Sequence, residues 1–232
     1  KKCGTINIML VIDADLPPGI LARALVTCTE AKTAALQELM APSRYSTGLA
    51  TGSGTDQTIV VANSESPLFF EGAGKHSKLG ELIGLAVMAA VKEALKKQSG
   101  LTPAQQHDLL RRLRRFGVTE ETLWQRYREV AGANALIKAQ FIAALEKMTA
   151  VPALFPLGVL FIHLYDEHLW GLLEKGETWE AAEKLLKEMA TALRLKTQEG
   201  VLMQEDYMDS LAMLLVRAVV ERAAWAVSEA KG

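Results

Sequence analysis

The stretch Ile6-Asn-Ile-Met-Leu-Val-Ile12 decides how the fold begins. It is a nearly continuous apolar run that ends at Asp13, and its short length favours a buried strand. The triplet Pro17-Pro-Gly19 follows the strand. From Ile20 to Met40 apolar residues recur every three or four positions, which predicts an amphipathic helix with proline in its first turn. A strand followed by a helix indicates an α/β layer.

The next part of the chain predicts two more strands and a second helix. Small polar residues dominate residues 42–56, which is typical of a loop. Thr58–Ala62 reads as a second buried strand, and Pro67–Phe70 as a short edge strand. Ser77 is the expected N-cap of a helix that ends near residue 98. Residues 1–98 are therefore predicted to form an α/β unit, a small mixed sheet layered with helices.

Beyond Leu101 every periodic segment is helical, and residues 101–232 are predicted to form an all-α domain. The arginines of residues 111–115 are expected to line a solvated helix face, with contact to a phosphate or to a partner carboxylate as the alternative. The predicted helices, separated by short breaks, are Pro103–Phe116, Glu120–Ala131, Ala133–Met148, Pro152–Glu174, Thr178–Leu195 and Gln204–Glu229.

Composition excludes several classes of protein. The formal net charge of −1 over 232 residues does not favour a nucleic-acid partner. Cys3 and Cys28 form neither a CxxC pair nor a disulfide framework, so a cytoplasmic location is expected. The most apolar run, Val151–Tyr165, falls short of the roughly 20 residues of a membrane-spanning helix and predicts a buried helix. Because there is no initiator methionine, the chain is expected to start inside a longer gene product.

The loop Thr51-Gly-Ser-Gly-Thr-Asp56 is the first candidate site. It places hydroxyls and a carboxylate beside glycines that let a ligand approach the backbone. Such a loop presents a nucleophile or holds a polar substrate. The alternative is a flexible turn in which Asp56 makes only local hydrogen bonds.

The segment Gly72-Ala-Gly-Lys-His-Ser-Lys78 is the second candidate site. It leads into a helix N-terminus, where unpaired N–H groups favour an anion or a developing oxyanion. His76 is well placed there for acid–base chemistry. The alternative is an ordinary helix cap with solvated lysines.

Three weaker patterns have architectural interpretations. Thr27, Glu30, Thr33 and Gln37 form a polar stripe on the first helix that is expected to face solvent. Gly80 and Gly84, one turn apart, predict that a neighbouring backbone approaches the second helix closely. A third ligand is missing beside His163 and Glu167, and no metal site is predicted.

Four sequence blocks stand in a fixed order: Gly4-Thr-Ile-Asn-Ile8, Thr29-Glu-Ala-Lys-Thr-Ala-Ala-Leu-Gln37, Ala50-Thr-Gly-Ser-Gly-Thr-Asp56 and Gly74-Lys-His-Ser-Lys-Leu-Gly-Glu-Leu-Ile-Gly84. Over residues 4–95 this series resembles the adenosylcobinamide amidohydrolases of corrinoid salvage. The resemblance implies hydrolysis of the amide between the corrin ring and its aminopropanol arm, which yields adenosylcobyric acid. The substrate would be an adenosylated, cobalt-containing corrinoid, with no cofactor required.

The resemblance also implies roles for individual residues. His76 would be the general acid or base, Asp56 would orient it, and Thr55 or Ser53 would be the hydroxyl partner. Lys75 and the helix N-terminus would stabilise negative charge. The expected substrate-binding residues are Lys75, Thr51, Ser77, Glu81, Glu30 and Lys32.

The sequence departs from the family in three ways. Family members begin many residues before the first block, and that upstream part, which is absent from the 232 residues, is a further source of catalytic groups. Ser53 and Gly54 stand where hydroxyl residues are common, which leaves the nucleophile open. Residues 101–232 lie outside the resemblance, with corrinoid binding, homo-oligomerisation or an unrelated interaction as alternatives. The rival functions are a non-catalytic corrinoid-binding protein and a helical interaction module on a degenerate enzyme; neither involves nucleic acid or a membrane.

Overall fold

The computed structural model describes residues 4–132, 135–195 and 206–229. The chain divides between Gln106 and His107 into two compact units. The first contains a small parallel sheet with helices, the second is helical, and 62% of the described residues are helical. The predicted class, α/β followed by all-α, is confirmed.

The first unit is built on one parallel strand pair. Strand β1 is Asn7–Ile12 and strand β2 is Gln57–Ala62, with Asn7 opposite Gln57 and Ile12 opposite Ala62. Parallel strands need a crossover connection, and helix α1 supplies it. The helices of this unit are α1 at Pro18–Glu38, α2 at Lys78–Ser99 and the short α3 at Pro103–Gln106.

One face of the sheet packs against both long helices. The apolar residues at even-numbered positions of the strands, including Ile8 and Val60, belong to one apolar cluster with Ala24 and Cys28 of α1 and Ile83 of α2. Side chains alternate between the two faces of a strand, so this cluster uses one side of the sheet only. Both candidate loops connect elements of this layer.

The edge strand predicted at Pro67–Phe70 is wrong in extent, since only one isolated bridge joins Phe69 to Asp15. Asp15 N donates to the Leu68 carbonyl at 2.8 Å, and Phe70 N donates to the Asp15 carbonyl at 3.2 Å. The chain has just left a turn closed by Ser66 N and the Asn63 carbonyl, and it meets the backbone at Asp15, beyond the end of β1, for too short a distance to build a ladder.

The second unit consists of helices of very different lengths. The helix predicted over Pro103–Phe116 is broken, because the Asp108 side chain accepts a hydrogen bond from Arg111 N at 3.1 Å and caps a new helix. The predicted helix starts at Ala133 and Gln204 lie outside the described residues. The observed elements are α4 at Leu109–Leu113, a 3₁₀ turn at Arg114–Phe116, α5 at Glu120–Val130, α6 at Lys138–Thr149, α7 at Leu154–Leu169, α8 at Lys175–Ala192 and α9 at Tyr207–Glu229.

The arginine cluster is not wholly solvated, contrary to the prediction. Arg115 forms a two-pronged ion pair with Asp166, in which Nη1 lies 2.8 Å from Oδ1 and Nη2 contacts Oδ2. Both side chains are 4% exposed. Because α4 ends at Leu113 and tightens into a 3₁₀ turn, Arg115 is directed inward, whereas Arg114 forms an exposed pair with Glu120.

No single helix in the described ranges is long and apolar enough to cross a membrane, although α6 and α7 together meet the length and composition test across an 88° bend.

Candidate active site

Asp56 fixes the first loop at the start of the sheet. Its carboxylate accepts hydrogen bonds from Ile6 N at 3.0 Å, from Lys32 Nζ at 2.6 Å, from Ser53 N at 2.8 Å and from the Ser53 hydroxyl. The side chains of Lys32 and Asp56 are 9% and 10% exposed. A single carboxylate therefore joins β1, α1 and the 51–56 loop.

These donors determine the charge state of Asp56. Burial acts to raise the pKa of the carboxyl group, but the hydrogen bonds from Lys32, Ser53 and Ile6 outweigh burial and lower the pKa from 3.8 to about 2. The carboxylate thus stays ionised at neutral pH. A group with so low a pKa is a weak proton acceptor.

The hydroxyl candidates of the first loop already have partners. Ser53 bonds to Asp56, and the Thr55 hydroxyl lies 2.5 Å from that of Thr5. Gly52 fits tightly against the ion pair, since a Cβ at this position would lie 2.6 Å from Asp56 Oδ2 and 3.2 Å from Lys32 Nζ. Asp56 therefore bonds beyond its own loop, to Ile6 and Lys32, and not only locally.

The second loop is locked onto the beginning of α2. Ser77 is the N-cap, as predicted: its hydroxyl oxygen accepts from Gly80 N at 3.0 Å and its O–H donates to the Gly74 carbonyl at 2.8 Å. Gly80 is in tight contact with the same carbonyl, because an added Cβ would lie 2.0 Å from it. The close approach predicted at Gly80 is confirmed, but Gly84 has open space around it.

Charged groups surround the second loop. Lys75 Nζ lies 3.4 Å from Glu30 Oε2, which is long for a hydrogen bond and leaves this water-sheltered oxygen without a close donor. A Cβ on Gly74 would lie 3.2 Å from Arg23 Nε, which brings a guanidinium group over the loop. His76 is exposed, and the described part of the chain gives its ring no hydrogen-bond partner.

The polar stripe on α1 holds both loops, so its predicted solvent-facing role is wrong. Thr27 donates to the Ala73 carbonyl at 2.8 Å and Glu30 contacts Lys75 in the second loop. Thr33 donates to the Thr51 carbonyl at 2.9 Å in the first loop, and Gln37 bonds to the Ala50 carbonyl. Glu30 and Thr33 are separated by a rise of about 4.5 Å, so the loops meet the same helix side by side.

Some predicted relationships find no supporting contact. Asp56 is not hydrogen bonded to His76; in the described residues its partners are those at Ile6, Lys32 and Ser53. Glu81 forms an exposed pair with Lys78 on the first turn of α2. The spacing of Thr27 and Thr33 predicts that they share one face of α1. No sequence pattern predicts which loop carbonyls they bind.

The described residues include no group of three or more His, Cys, Asp or Glu side chains able to hold a metal ion. His163 Nε2 lies 3.4 Å from Glu167 Oε1, as expected for residues one helical turn apart.

The comparisons with known proteins concern the segment that carries both loops. Residues 1–103 match the family model for adenosylcobinamide amidohydrolases. The suspected resemblance is thereby confirmed over this segment, which includes every residue of the two loops. The helical unit beyond it is outside the match.

A relative matches a stretch of similar length. The uncharacterized protein MJ1613 from Methanocaldococcus jannaschii is 46% identical over 99 residues, which are 42% of this chain and 38% of the relative. The chain therefore spans well under half of the relative that it matches. No solved structure matches the chain.

Proposed function

We propose that the amidohydrolase-like segment hydrolyses the amide that joins the corrin ring to the aminopropanol arm of adenosylcobinamide, releasing adenosylcobyric acid and aminopropanol. The observation that carries the proposal is the family match over residues 1–103, which contain both loops on one helix. The adenosylated corrinoid is the substrate, and the proposal requires no further cofactor.

The reaction makes three chemical demands. Water must lose a proton as it attacks the amide carbonyl, the resulting oxyanion must be stabilised, and the departing amine must gain a proton. Each demand needs a group in reach of one bond of the substrate. The second loop carries groups of the appropriate kind.

His76 is the proposed acid–base residue. Its exposed imidazole precedes the cap of α2, where it meets an incoming ligand. In the proposed reaction it accepts the proton of the attacking water and delivers a proton to the amine nitrogen as the C–N bond breaks.

The oxyanion and the amine are assigned to neighbouring groups. The first N–H groups of α2 and the cations Lys75 and Arg23 favour negative charge at this end of the helix. Glu30 Oε2, which has no close donor, is the proposed acceptor for the N–H of the departing amine.

Asp56 is assigned to positioning the first loop. Its low pKa and its existing donors make it a poor base for Ser53 or Thr55. Water activated by His76 is therefore the proposed nucleophile. The proposed polar surface that contacts the substrate is then formed by the side chains of Ser53, Thr55 and Thr51. Lys32 lies behind them.

The experiment is incubation of the 232-residue chain with adenosylcobinamide, with product detected by chromatography and mass spectrometry. His76→Ala should lower the rate at least about 100-fold because general acid–base catalysis contributes 10²–10⁴-fold. His163→Ala is the matched control, since His163 is an exposed histidine of the helical unit and its loss should leave the rate unchanged.

Two results would contradict the proposal. Full activity in His76→Ala, with an unchanged circular dichroism spectrum, would remove His76 from the mechanism. A change of corrinoid absorbance on mixing, with no adenosylcobyric acid formed, would instead indicate a corrinoid-binding protein without hydrolase activity.

A further inference from the structure

Thr27 is a buried threonine in the middle of α1. It is 3% exposed, and its hydroxyl donates to the Ala73 carbonyl of the second loop at 2.8 Å. A threonine inside a helix commonly donates to the carbonyl four residues earlier, as Thr29 does to Leu25 at 3.0 Å. The Thr27 hydroxyl instead reaches backbone 46 positions away along the chain. Helix α1 therefore fixes the direction of one carbonyl in the second loop.

The carbonyls of Ala73 and Gly74 lie on the same side of the second loop. The Gly74 carbonyl accepts from Ser77 N at 2.9 Å and from the Ser77 hydroxyl at 2.8 Å. A Cβ on Gly80 would lie 2.0 Å from the Gly74 oxygen and 2.9 Å from the Ala73 oxygen, so both oxygens lie against the first turn of α2. Two successive peptide groups are thus held by their carbonyl oxygens.

The N–H groups of the same two peptides face the other way. In a trans peptide the N–H points opposite to the carbonyl, and the described residues contain no cis peptide. The N–H of Gly74 is therefore directed away from Thr27, and the N–H of Lys75 is directed away from Ser77. Within the described ranges neither N–H has a hydrogen-bond partner. Two adjacent backbone donors thus leave the loop on the side opposite to α2.

We propose that Thr27 is a positioning residue of the active site: it holds the Ala73 carbonyl so that the N–H of Gly74, with that of Lys75, donates to the oxyanion of the attacked amide. The inference rests on the proposed hydrolysis and adds loop donors to the N–H groups of α2. As water attacks, the new C–O bond forms, one water proton passes to His76 and the carbonyl electron pair moves to oxygen. Collapse of this intermediate breaks the C–N bond, and His76 protonates the amine that leaves.

The direction of the Gly74 donor depends on the Thr27 hydroxyl. Its bond to Ala73 is buried, so removing the hydroxyl leaves a buried carbonyl without a donor, which is unfavourable. Rotation of the peptide between Ala73 and Gly74 relieves this cost but turns the N–H away from the substrate. Loss of one oxyanion donor lowers kcat about 10²–10³-fold in other enzymes. Because the oxyanion develops only as the amide is attacked, KM is expected to change little.

The test compares three variants by steady-state kinetics with adenosylcobinamide. Thr27→Val keeps the shape of the side chain but removes the hydroxyl, and Thr27→Ser keeps the hydroxyl. Thr29→Val is the control, because Thr29 is exposed and its hydroxyl bonds to Leu25 of its own helix. We expect Thr27→Val to lower kcat at least about tenfold with KM within about twofold of the unsubstituted chain. The other two variants should keep both constants within about twofold.

A second pair of variants tests a backbone donor directly. Lys75 follows Gly74 in the turn closed by Ser77 N, a position that accepts proline. Lys75→Pro removes both the N–H and the ammonium group, whereas Lys75→Ala removes the ammonium group only. The kcat of Lys75→Pro should lie at least about tenfold below that of Lys75→Ala. Equal rates with unchanged circular dichroism spectra would overturn the proposal, even if Thr27→Val did not fold.

Binding is measured separately from turnover by NMR of the isotope-labelled chain during titration with adenosylcobyric acid, whose carboxylate stands where the oxyanion forms. The Gly74 amide proton should move downfield in the unsubstituted chain and in Thr27→Ser, but not in Thr27→Val. An unmoved Gly74 resonance in the unsubstituted chain, or an unchanged kcat in Thr27→Val, would overturn the proposal. A chain that showed these shifts without turnover would contradict the hydrolysis while supporting the role of Thr27 in orienting the Gly74 donor.

Discussion

Asp56 brings three separate parts of the chain together through one side chain. Three residues donate to it: Ile6, which precedes β1, Lys32 on α1 and Ser53 in the first loop. Because the pair with Lys32 is nearly buried, removing either charge leaves the other without compensation in a poorly solvated site. The order of the first loop depends on this residue.

Lys32→Ala should lower the free energy of unfolding of the first unit by about 3 kcal/mol, because it leaves the nearly buried Asp56 carboxylate without its positive partner. Urea unfolding followed by circular dichroism measures the change. Lys78→Ala is the control, since it breaks only the exposed pair with Glu81 and should cost less than about 1 kcal/mol. Equal effects of the two substitutions would show that the buried pair contributes no more to the free energy of unfolding than the exposed pair.

Asp56 also predicts an acid-sensitive contribution to stability. Its pKa is about 2 in the folded chain against an ordinary 3.8, so the contribution is complete above pH 3.8 and is lost as pH falls towards 2. The loss is about 2 kcal/mol. Asp56→Asn should therefore be less stable at neutral pH but should lose about 2 kcal/mol less than the unsubstituted chain between pH 4 and pH 2. Identical slopes in that window would refute the assignment.

Among the elements, α2 offers a matched pair of glycines. Gly80→Ala should destabilise the first unit and disrupt the second loop, because its Cβ would lie 2.0 Å from the Gly74 carbonyl oxygen. Gly84→Ala, one turn later in open space, should be neutral or stabilise the unit by up to about 1 kcal/mol through its helix propensity. Thermal unfolding and the adenosylcobinamide assay, run on both variants, compare them. Two equally mild variants would mean that the loop moves away at little cost.

The elements of the first unit could largely be predicted from the sequence because local signals agree there with the tertiary packing. The apolar runs of β1 and β2 and the cap at Ser77 each specify one structure. The segment Pro67–Phe70 has the composition of a strand but pairs at one residue only. Backbone pairing of a strand depends on an adjacent strand, which the composition of the segment does not reveal.

The candidate site was predictable only in part. Its two loops were evident from small polar residues and from the helix cap, but the contact of Thr27 and Thr33 with loop carbonyls was not. Those bonds join residues far apart in sequence to backbone atoms, which are the same at every position. The expected link between Asp56 and His76 met the same difficulty, because donors from Ile6, Lys32 and Ser53 occupy the carboxylate.

For the whole molecule, the two units should report their stability separately. All four tryptophans, Trp124, Trp170, Trp179 and Trp225, lie after Gln106, so tryptophan fluorescence follows the helical unit alone. Circular dichroism follows both units. The distribution of tryptophan thus supplies a unit-specific probe.

Asp166→Asn should lower the free energy of unfolding seen by tryptophan fluorescence by about 3 kcal/mol, since it removes the buried negative charge that pairs with the Arg115 guanidinium. Lys32→Ala should leave the urea midpoint of that fluorescence transition unchanged. Urea titrations of both variants, read by fluorescence and by circular dichroism, test the pattern. If Lys32→Ala moved the fluorescence transition equally, the units would unfold as one.

The register of β1 with β2 pairs residues that are fifty positions apart along the chain. A ribosome adds about 5–20 residues per second, so β1 leaves the exit tunnel several seconds before its partner strand. During that interval the apolar strand has α1 as its nearest structured neighbour and no ladder to join. A nascent chain carrying this unit therefore presents an unpaired apolar strand to chaperones before the sheet exists.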